Sequence, residues 1–166
     1  MLRFPLAIAI LLGAAATSYA AGADNVRIEP HTNLAGPRVL EDQTASAAIR
    51  DYLKSWHSLS AALEQNRADL LDADFVGTAL DKLDETVQEQ AGLGLGARYQ
   101  DSSHDIQIVF YSPEGLSLEL TDTVEYDMQV LDHGKLMATQ HVQARYIVVM
   151  TPTESRWKVR IFQAQI

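Results

Sequence analysis

The feature that most constrains the fold is an alternation of apolar and polar residues over the fifteen positions from Leu116 to Val130. Every even position except Asp122 is apolar, and every odd position from Ser117 to Gln129 is polar or charged. This period of two is typical of a long antiparallel strand with one buried face. A flat strand of that length spans about 50 Å, so we expect a bend, and Asp122 marks its expected place.

The alternation resumes after a tight turn, DHGK, in which Gly134 can adopt a positive φ. If that turn centres on His133 and Gly134, Thr123 lies opposite Ala144 and Glu125 opposite Val142, within a residue or two. An earlier strand, DIQIVFY, precedes the turn SPEG, and TPTES leads to the closing strand RWKVRIFQAQI. The sequence predicts a meander of at least four strands, and three residues of the last strand should face inward: Trp157, Val159 and Ile161.

Helical periodicity precedes the sheet. A stripe that includes Tyr52, Trp56 and Leu59 predicts a first helix after the N-cap candidates Asp42 and Thr44. Asn66 is the expected N-cap of a second helix, and a third helix is expected over about 74–91. The sequence therefore predicts an α+β fold, with three N-terminal helices packed on a curved, cone-like antiparallel sheet of four to six strands.

The glycine-rich stretch GLGLGARY, residues 92–99, follows the third helix and precedes a strand. A dinucleotide-binding loop has the opposite order, since its glycines follow a strand and open a helix. We therefore expect Gly92 to end the helix in the left-handed conformation, with Gly94 and Gly96 reversing the chain into the first strand.

The first twenty residues have the pattern of a secretory signal peptide: Arg3, an apolar run over 6–16, and small Ser18 and Ala20 before the cleavage site. The run is shorter than the ~20 residues that cross a bilayer, so cleavage after Ala20 is expected to leave no stable membrane anchor. We expect a periplasmic or secreted protein. Residues 21–42 are expected to form a flexible leader, in which VRIE could pair at a sheet edge, and 43–166 a single domain.

Charge and motifs exclude several classes of function. The net charge of −9 disfavours binding to nucleic acid or to an anionic membrane. The chain has no cysteine, and it lacks a zinc pattern, a P-loop and a nucleophile elbow. The five histidines show no metal-ligand spacing. The sequence therefore predicts neither a metal nor another cofactor.

The order of the elements resembles a known superfamily. The opening helix AIRDYLKSWHSLSAALEQ, then NRADLLDADFVG, the long hairpin and the closing SRWKVRIF resemble the nuclear-transport-factor-2-like superfamily, also called SnoaL-like or ketosteroid-isomerase-like, over about residues 45 to 164. Cystatin-like and other helix-plus-meander folds are the alternatives. The resemblance implies a cone with an internal pocket between the sheet and the first helix, but no single function.

Strand parity and the resemblance together give the candidate site residues. Enzymes of this superfamily place Tyr and Asp, or His and Asp, inside the cone. Among the alternate strand positions that should face the interior of this chain, the catalytic candidates are Asp122 with Tyr126 or Tyr146. The simpler interpretation, which we favour here, is that both tyrosines belong to the core and that Asp122 marks the bend. His104 is assigned to a loop, and His57 to a pocket mouth or a boundary position. The expected pocket lining is Tyr52, Trp56, His57, Tyr126, Gln140, Tyr146 and Trp157.

Three hypotheses about function follow from the sequence. The favoured one is a non-catalytic exported domain that binds a small apolar ligand or a protein partner, because no convincing acid–base set is evident. The second is a small isomerase or dehydratase that uses Asp122 and a tyrosine. The third is an envelope-assembly subunit that docks through the outer sheet face, which is rich in Thr and Gln. That face is either solvated or the interface of a homodimer.

Overall fold

The computed structural model describes residues 26–32, 34 and 38–165. Its elements, in chain order, are β1 (Arg27–Thr32), α1 (Asp42–Gln65), a 3-10 helix (Ala68–Leu71), α2 (Gly77–Gly92), β2 (Leu95–Tyr111), β3 (Leu118–Asp132), β4 (Lys135–Pro152) and β5 (Trp157–Gln165). The strands form one curved, unclosed sheet in the order β1-β2-β3-β4-β5. β1 is parallel to β2, and the other neighbours are antiparallel. The predicted signal peptide lies outside the described residues, and no described helix is long and apolar enough to cross a membrane.

The α+β class and the strand count are as predicted, but the prediction of three helices is wrong. Between α1 and α2 the chain forms only a short 3-10 helix. Asn66 does not cap a second helix at its start; it ends α1 with a left-handed φ of 54°. The N–H of Arg67 donates to the carbonyl oxygen of Ala62 at 3.1 Å, which closes the end of α1.

Part of the segment predicted as a flexible leader forms β1, which pairs with β2 from Arg27–Ser103 to Thr32–Ile108. This is the extended piece that the sequence indicated around VRIE. It places a short parallel strand at one edge of the sheet.

The long strands bend at β-bulges, and the expected bend at Asp122 is wrong. The β2–β3 register shifts between Asp101 and Ser103 and between Ile108 and Phe110. Asp122 itself lies in regular pairing, opposite Ile106 on β2 and Tyr146 on β4. An extra residue in one strand increases the local bend and twist, so these bulges curve the sheet without breaking it at Asp122.

The β3–β4 hairpin turns through His133 and Gly134, whose φ values are 47° and 81°. The two-residue turn is therefore as predicted. A further bulge shifts the register between Val130 and Leu131, so that Thr123 pairs with Arg145 and not with Ala144. Glu125 likewise pairs with Gln143 and not with Val142.

A bulge in β5 changes which residues of that strand face the core. Trp157 and Val159 are buried as predicted, whereas Ile161 is 39% exposed. The β4–β5 register shifts between Val149, which pairs with Ile161, and Met150, which pairs with Val159. Because Arg160 is the extra residue, Phe162 takes the inward position, and the prediction for Ile161 is wrong.

The junction between α2 and β2 also differs from the prediction. Gly92 is the last residue of α2, and the left-handed residue is Gly94, with a φ of 69°. A Cβ atom at Gly94 would lie 2.6 Å from Cε1 of the His133 imidazole. Gly94 is therefore favoured by its backbone conformation, whereas the His133 ring is exposed at the chain surface and can move away from a Cβ atom.

α1 lies across the concave face of the sheet and buries Tyr52, Trp56 and Leu59 against it. Two buried carboxylates fix it near the start of β5. Asp51 accepts a hydrogen bond from the backbone N–H of Trp157 at 2.9 Å. Asp74 accepts one from the Ser58 hydroxyl at 2.6 Å and one from Arg156 at 2.8 Å. These contacts position the side chains of α1 over the centre of the sheet.

Candidate acid–base site inside the cone

The bulge in β2 turns two polar side chains three residues apart toward the interior. Asp101 pairs with Tyr126, whereas His104 pairs with Val124, because the register shifts between them. In a regular strand, residues three apart face opposite sides of the sheet. The extra residue therefore brings both Asp101 and His104 onto the concave face, where His104 is only 2% exposed.

Asp122 is the centre of the site and is fully buried. Its Oδ2 accepts a hydrogen bond of 2.7 Å from the Tyr52 hydroxyl on α1. Nδ1 of His104 lies 2.6 Å from the same oxygen. Since a carboxylate only accepts, the imidazole donates through Nδ1–H. Asp122 thereby joins α1, β2 and β3 through one buried oxygen.

The other nitrogen of His104 has no close partner among the described residues. Nε2 lies 3.9 Å from Oδ2 of Asp101, which is too long for a hydrogen bond. Trp56 packs against the imidazole with ring centroids 5.2 Å apart. The Nε2 atom is thus the polar end of His104 that can act on another molecule.

Three buried polar atoms of the residues around His104 have no hydrogen-bond partner in the described part of the chain: Oδ1 of Asp101, Oδ1 of Asp122 and Nε1 of Trp56. Buried polar groups in folded proteins are normally hydrogen-bonded. The cluster therefore offers two acceptors and one donor to a small polar group inside the cone.

The two aspartates set the charge of His104. Burial disfavours the imidazolium, but the nearby carboxylates of Asp101 and Asp122, the second of them hydrogen-bonded to Nδ1, outweigh it and raise the pKa of His104 to about 9. Burial, and next the charge of Asp122, raise the pKa of Tyr52 well above its ordinary value of 10.0. At neutral pH the site therefore holds a cationic imidazolium and a neutral phenol.

Aromatic rings surround this polar centre. Trp56 lies 5.6 to 6.1 Å, between ring centroids, from a set of four rings: Tyr99, Tyr126, Tyr146 and Phe162. The hydroxyls of Tyr126 and Tyr146 are 3.3 Å apart, and burial raises the pKa of both phenols above the ordinary value. Tyr99 and Phe162 are half-buried and extend the aromatic cluster outward.

The structure brings most of the residues predicted for a site together. Asp122, Tyr126 and Tyr146 share the interior with Tyr52 and Trp56. Three predicted pocket residues lie elsewhere. His57 is exposed on α1, Gln140 is exposed on β4, and Trp157 packs on Tyr111 with ring centroids 6.4 Å apart.

The sequence predicts a loop at His104, and this prediction is wrong, since His104 lies in β2. The run DSSHD is polar, and the bulge at residue 102 interrupts the period of two just before His104. One signal was available: counted backward from DIQIVFY, the alternate positions Ile108, Ile106 and His104 share one face. If that alternation is continued backward into the polar run, it assigns His104 to the buried face.

Solved structures share this architecture at low sequence identity. The intermembrane space region of the chloroplast protein ARC6 superposes with a TM-score of 0.63 at 19% identity, over 76% of this chain and 98% of that chain. A putative scytalone dehydratase from Novosphingobium aromaticivorans gives 0.54 at 16% identity, over 75% and 87%. A putative dehydratase of the NTF2-like family from Streptomyces avermitilis gives 0.50 at 11% identity, over 72% and 96%.

These similarities establish the fold. The chain has the nuclear-transport-factor-2-like, or SnoaL-like, fold, which confirms the resemblance inferred from the order of its elements. No protein-family model and no curated protein matches the sequence. Among the described residues, no group of three or more His, Asp or Glu has a metal-binding arrangement.

Proposed function

We propose that the chain is an exported acid–base enzyme of the isomerase or dehydratase type, acting on a small, largely apolar substrate that carries a hydroxyl or carbonyl group. The observation that carries this proposal is the fully buried Asp122, whose Oδ2 lies 2.6 Å from Nδ1 of His104. Strongly perturbed, charge-coupled groups inside a fold of this shape favour proton-transfer chemistry over a purely structural role. Export rests on the signal-peptide pattern of residues 1–20.

His104 is the proposed proton donor. With a pKa of about 9 it is protonated at neutral pH, and its Nε2–H is not committed to a hydrogen bond within the described residues. It can protonate a leaving hydroxyl or polarise a carbonyl oxygen. Asp122 holds the ring orientation through Nδ1, and Tyr52 holds Asp122 in turn, as in other Asp–His pairs.

The proposed proton acceptor is a carboxylate oxygen next to the imidazolium. Oδ1 of Asp101 and Oδ1 of Asp122 are buried and unpartnered in the described chain. In a dehydration, one of them takes the proton from carbon, the C–OH bond breaks, a C=C bond forms, and the hydroxyl leaves as water with the proton of His104. In an isomerisation, the carboxylate returns its proton to a different carbon.

The aromatic rings define the substrate class. Trp56, Tyr126 and Tyr146 present apolar ring surfaces next to the polar centre. Such walls favour a planar or cyclic ligand, since ring stacking adds to the energy of area burial. The substrate would reach the centre past the half-buried Tyr99 and Phe162.

One observation favours a second function, ligand binding without turnover. Trp56 is 1% exposed and contacts several aromatic rings at once, so a ligand enters only if aromatic side chains move. The apolar ring surfaces around Trp56 support the sequence-based hypothesis of a non-catalytic domain that binds a small apolar ligand. The two functions share one site and differ in whether His104 transfers a proton.

The test uses a panel of cyclic ketones and β-hydroxy ketones in D2O, followed by proton NMR for α-proton exchange and loss of water. The wild type is compared with His104→Gln. A matched control is His141→Gln, because Nδ1 of His141 also faces an aspartate, Asp127, at 2.9 Å, but on the exposed outer face. We expect turnover to fall by about 100-fold or more in His104→Gln and to be unchanged in His141→Gln.

Equal rates for the wild type and His104→Gln on every panel member contradict the enzymatic proposal. In that case, quenching of tryptophan fluorescence by 2-naphthol in the wild type, reduced in Trp56→Phe, supports the binding function. The absence of both effects contradicts both functions.

A further inference from the structure

The indole N–H of Trp56 is a buried hydrogen-bond donor. Trp56 is 1% exposed, and its Nε1 atom forms no hydrogen bond within the described residues. An indole N–H can only donate, and a buried tryptophan usually finds an acceptor for it. A buried donor that stays unpaired costs free energy. The fold therefore keeps a donor inside the cone for which the described chain supplies no acceptor.

The surroundings of Trp56 explain why its N–H is unpaired, because they consist mainly of rings. Five rings of the described chain have centroids within 6.1 Å of the Trp56 ring: Tyr99, His104, Tyr126, Tyr146 and Phe162. Ring faces are only weak acceptors, and the hydroxyls of Tyr126 and Tyr146 lie 3.3 Å from each other. A phenylalanine at position 56 would keep an apolar ring here without burying an unpaired donor. The N–H is therefore what distinguishes tryptophan at this position.

His104 brings a second uncommitted donor into contact with Trp56. Nε2 of His104 has no acceptor at hydrogen-bond distance among the described residues. The two rings meet edge to face, at 84° and with centroids 5.2 Å apart. Next to His104 lie two carboxylate oxygens without partners, Oδ1 of Asp101 and Oδ1 of Asp122. A hydrocarbon bound here leaves these polar atoms unpaired, whereas a ligand oxygen accepts from the donors.

We propose that Trp56 is a specificity-determining residue, whose indole N–H donates to an oxygen atom of the bound substrate. Trp56 acts in this way only if the substrate occupies the site around His104, so this role rests on the proposed function. The site then selects a ring that carries a carbonyl or hydroxyl oxygen over a hydrocarbon ring of the same shape. Selection of this kind arises because the analogue without the oxygen leaves buried polar groups unpaired.

The test compares two ligands with the same two-ring skeleton, 1-indanone, which carries a carbonyl oxygen, and indane, which does not. Their dissociation constants are measured by ligand-observed NMR for the wild type and for Trp56→Phe. We expect the affinity for 1-indanone relative to indane to fall by about fivefold or more in Trp56→Phe, because one hydrogen bond to the carbonyl is lost. A change in the shape of the site affects both ligands, so the ratio of the two constants isolates the hydrogen bond.

Trp157→Phe is the matched control, because Trp157 packs on Tyr111 with ring centroids 6.4 Å apart. Its ratio of dissociation constants should equal that of the wild type. Circular dichroism shows whether each variant is folded.

A second measurement needs no substitution at Trp56. The chain has two tryptophans, so a nitrogen–proton correlation spectrum contains two indole N–H signals, and Trp157→Phe identifies the signal of Trp56. We expect 1-indanone to move the Trp56 N–H proton downfield, as a new hydrogen bond does. Indane should not produce this downfield shift.

An unchanged ratio in folded Trp56→Phe, or equal shifts of the Trp56 signal with the two ligands, overturns the role of Trp56. A wild type that does not bind 1-indanone at about 1 mM overturns it as well. Exchange of the α-protons of 1-indanone in D2O tests the proposed function separately. A ratio that depends on Trp56 without exchange contradicts the enzyme alone, and exchange with an unchanged ratio contradicts the role of Trp56 alone.

Discussion

Nδ1 of His104 lies 2.6 Å from Oδ2 of Asp122, and neither residue is more than 2% exposed. The contact joins adjacent strands, and the same carboxylate oxygen accepts the hydroxyl of Tyr52 from α1. One buried oxygen thus links the helical layer to the sheet and holds an imidazolium beneath the aromatic rings. The stability of the fold and the chemistry of the site therefore depend on the same residues.

The pairing of His104 makes stability depend on pH in the alkaline range. Its pKa is raised from 6.5 to about 9 in the folded chain. A raised pKa contributes stability that is complete below the unfolded value of 6.5 and is lost as the pH rises through 9. We expect the free energy of unfolding of the wild type, relative to His104→Gln, to fall by about 3 kcal/mol over this range. Urea titrations check this, and a difference that does not vary with pH contradicts it.

Tyr52→Phe removes the hydroxyl that Asp122 accepts and keeps the ring. Because the change removes one partner of a buried hydrogen bond to a carboxylate, we expect a loss of about 1–3 kcal/mol in the free energy of unfolding. A double-mutant cycle with Asp122→Asn isolates the pair. Additive effects of the two substitutions mean that the contact contributes nothing.

Trp56 and His57 are neighbours on α1 with opposite environments: Trp56 is 1% exposed, whereas His57 is exposed to solvent. Trp56→Ala should destabilise the fold by about 3–5 kcal/mol, since it empties the centre of the aromatic cluster. His57→Ala should change stability by less than about 0.5 kcal/mol. Thermal melts compare the two, and similar losses contradict the assignment of the helix face.

Gly94 and Gly92 form a second matched pair. Gly94→Ala should lower the melting temperature, because a φ of 69° is strained for any residue that carries a Cβ atom. Gly92→Ala should be neutral or stabilising by up to about 1 kcal/mol, since Gly92 is helical and a Cβ there has no atom within 4 Å. A larger loss from Gly92→Ala than from Gly94→Ala reverses the assignment of the helix end.

The fold was predictable because its strongest signals are periodic. The alternation through Leu118, Leu120 and Val124 identifies β3 and its buried face, and the DHGK turn sets the hairpin. Helical spacing likewise identifies the buried face of α1. The failures occur where one residue shifts that period. The extra Arg160 exposes Ile161, and the left-handed Asn66 ends a helix where a new one was expected.

The candidate site was only half predictable for the same reason. The alternation of residues along β3 and β4 predicts that Asp122, Tyr126 and Tyr146 face the interior of the cone, and all three are buried in the structure. The buried position of His104 was not predicted, because the bulge before it arises from the pairing of β2 with β3. In the sequence alone, this segment is only a run of polar residues. The same bulge hides Asp101 from the sequence pattern, so the predicted set contains Asp122 as its one inward acid and is incomplete.

The central claim is that His104 is a charged proton donor held by Asp122, and NMR titration of the His104 ring tests it most directly. In the wild type we predict an apparent pKa of about 9. In Asp122→Asn it should fall toward the ordinary value of 6.5, because one of the two carboxylate charges is gone. A His104 ring that titrates near or below 6.5 in the wild type, or is unaffected by Asp122→Asn, contradicts the account.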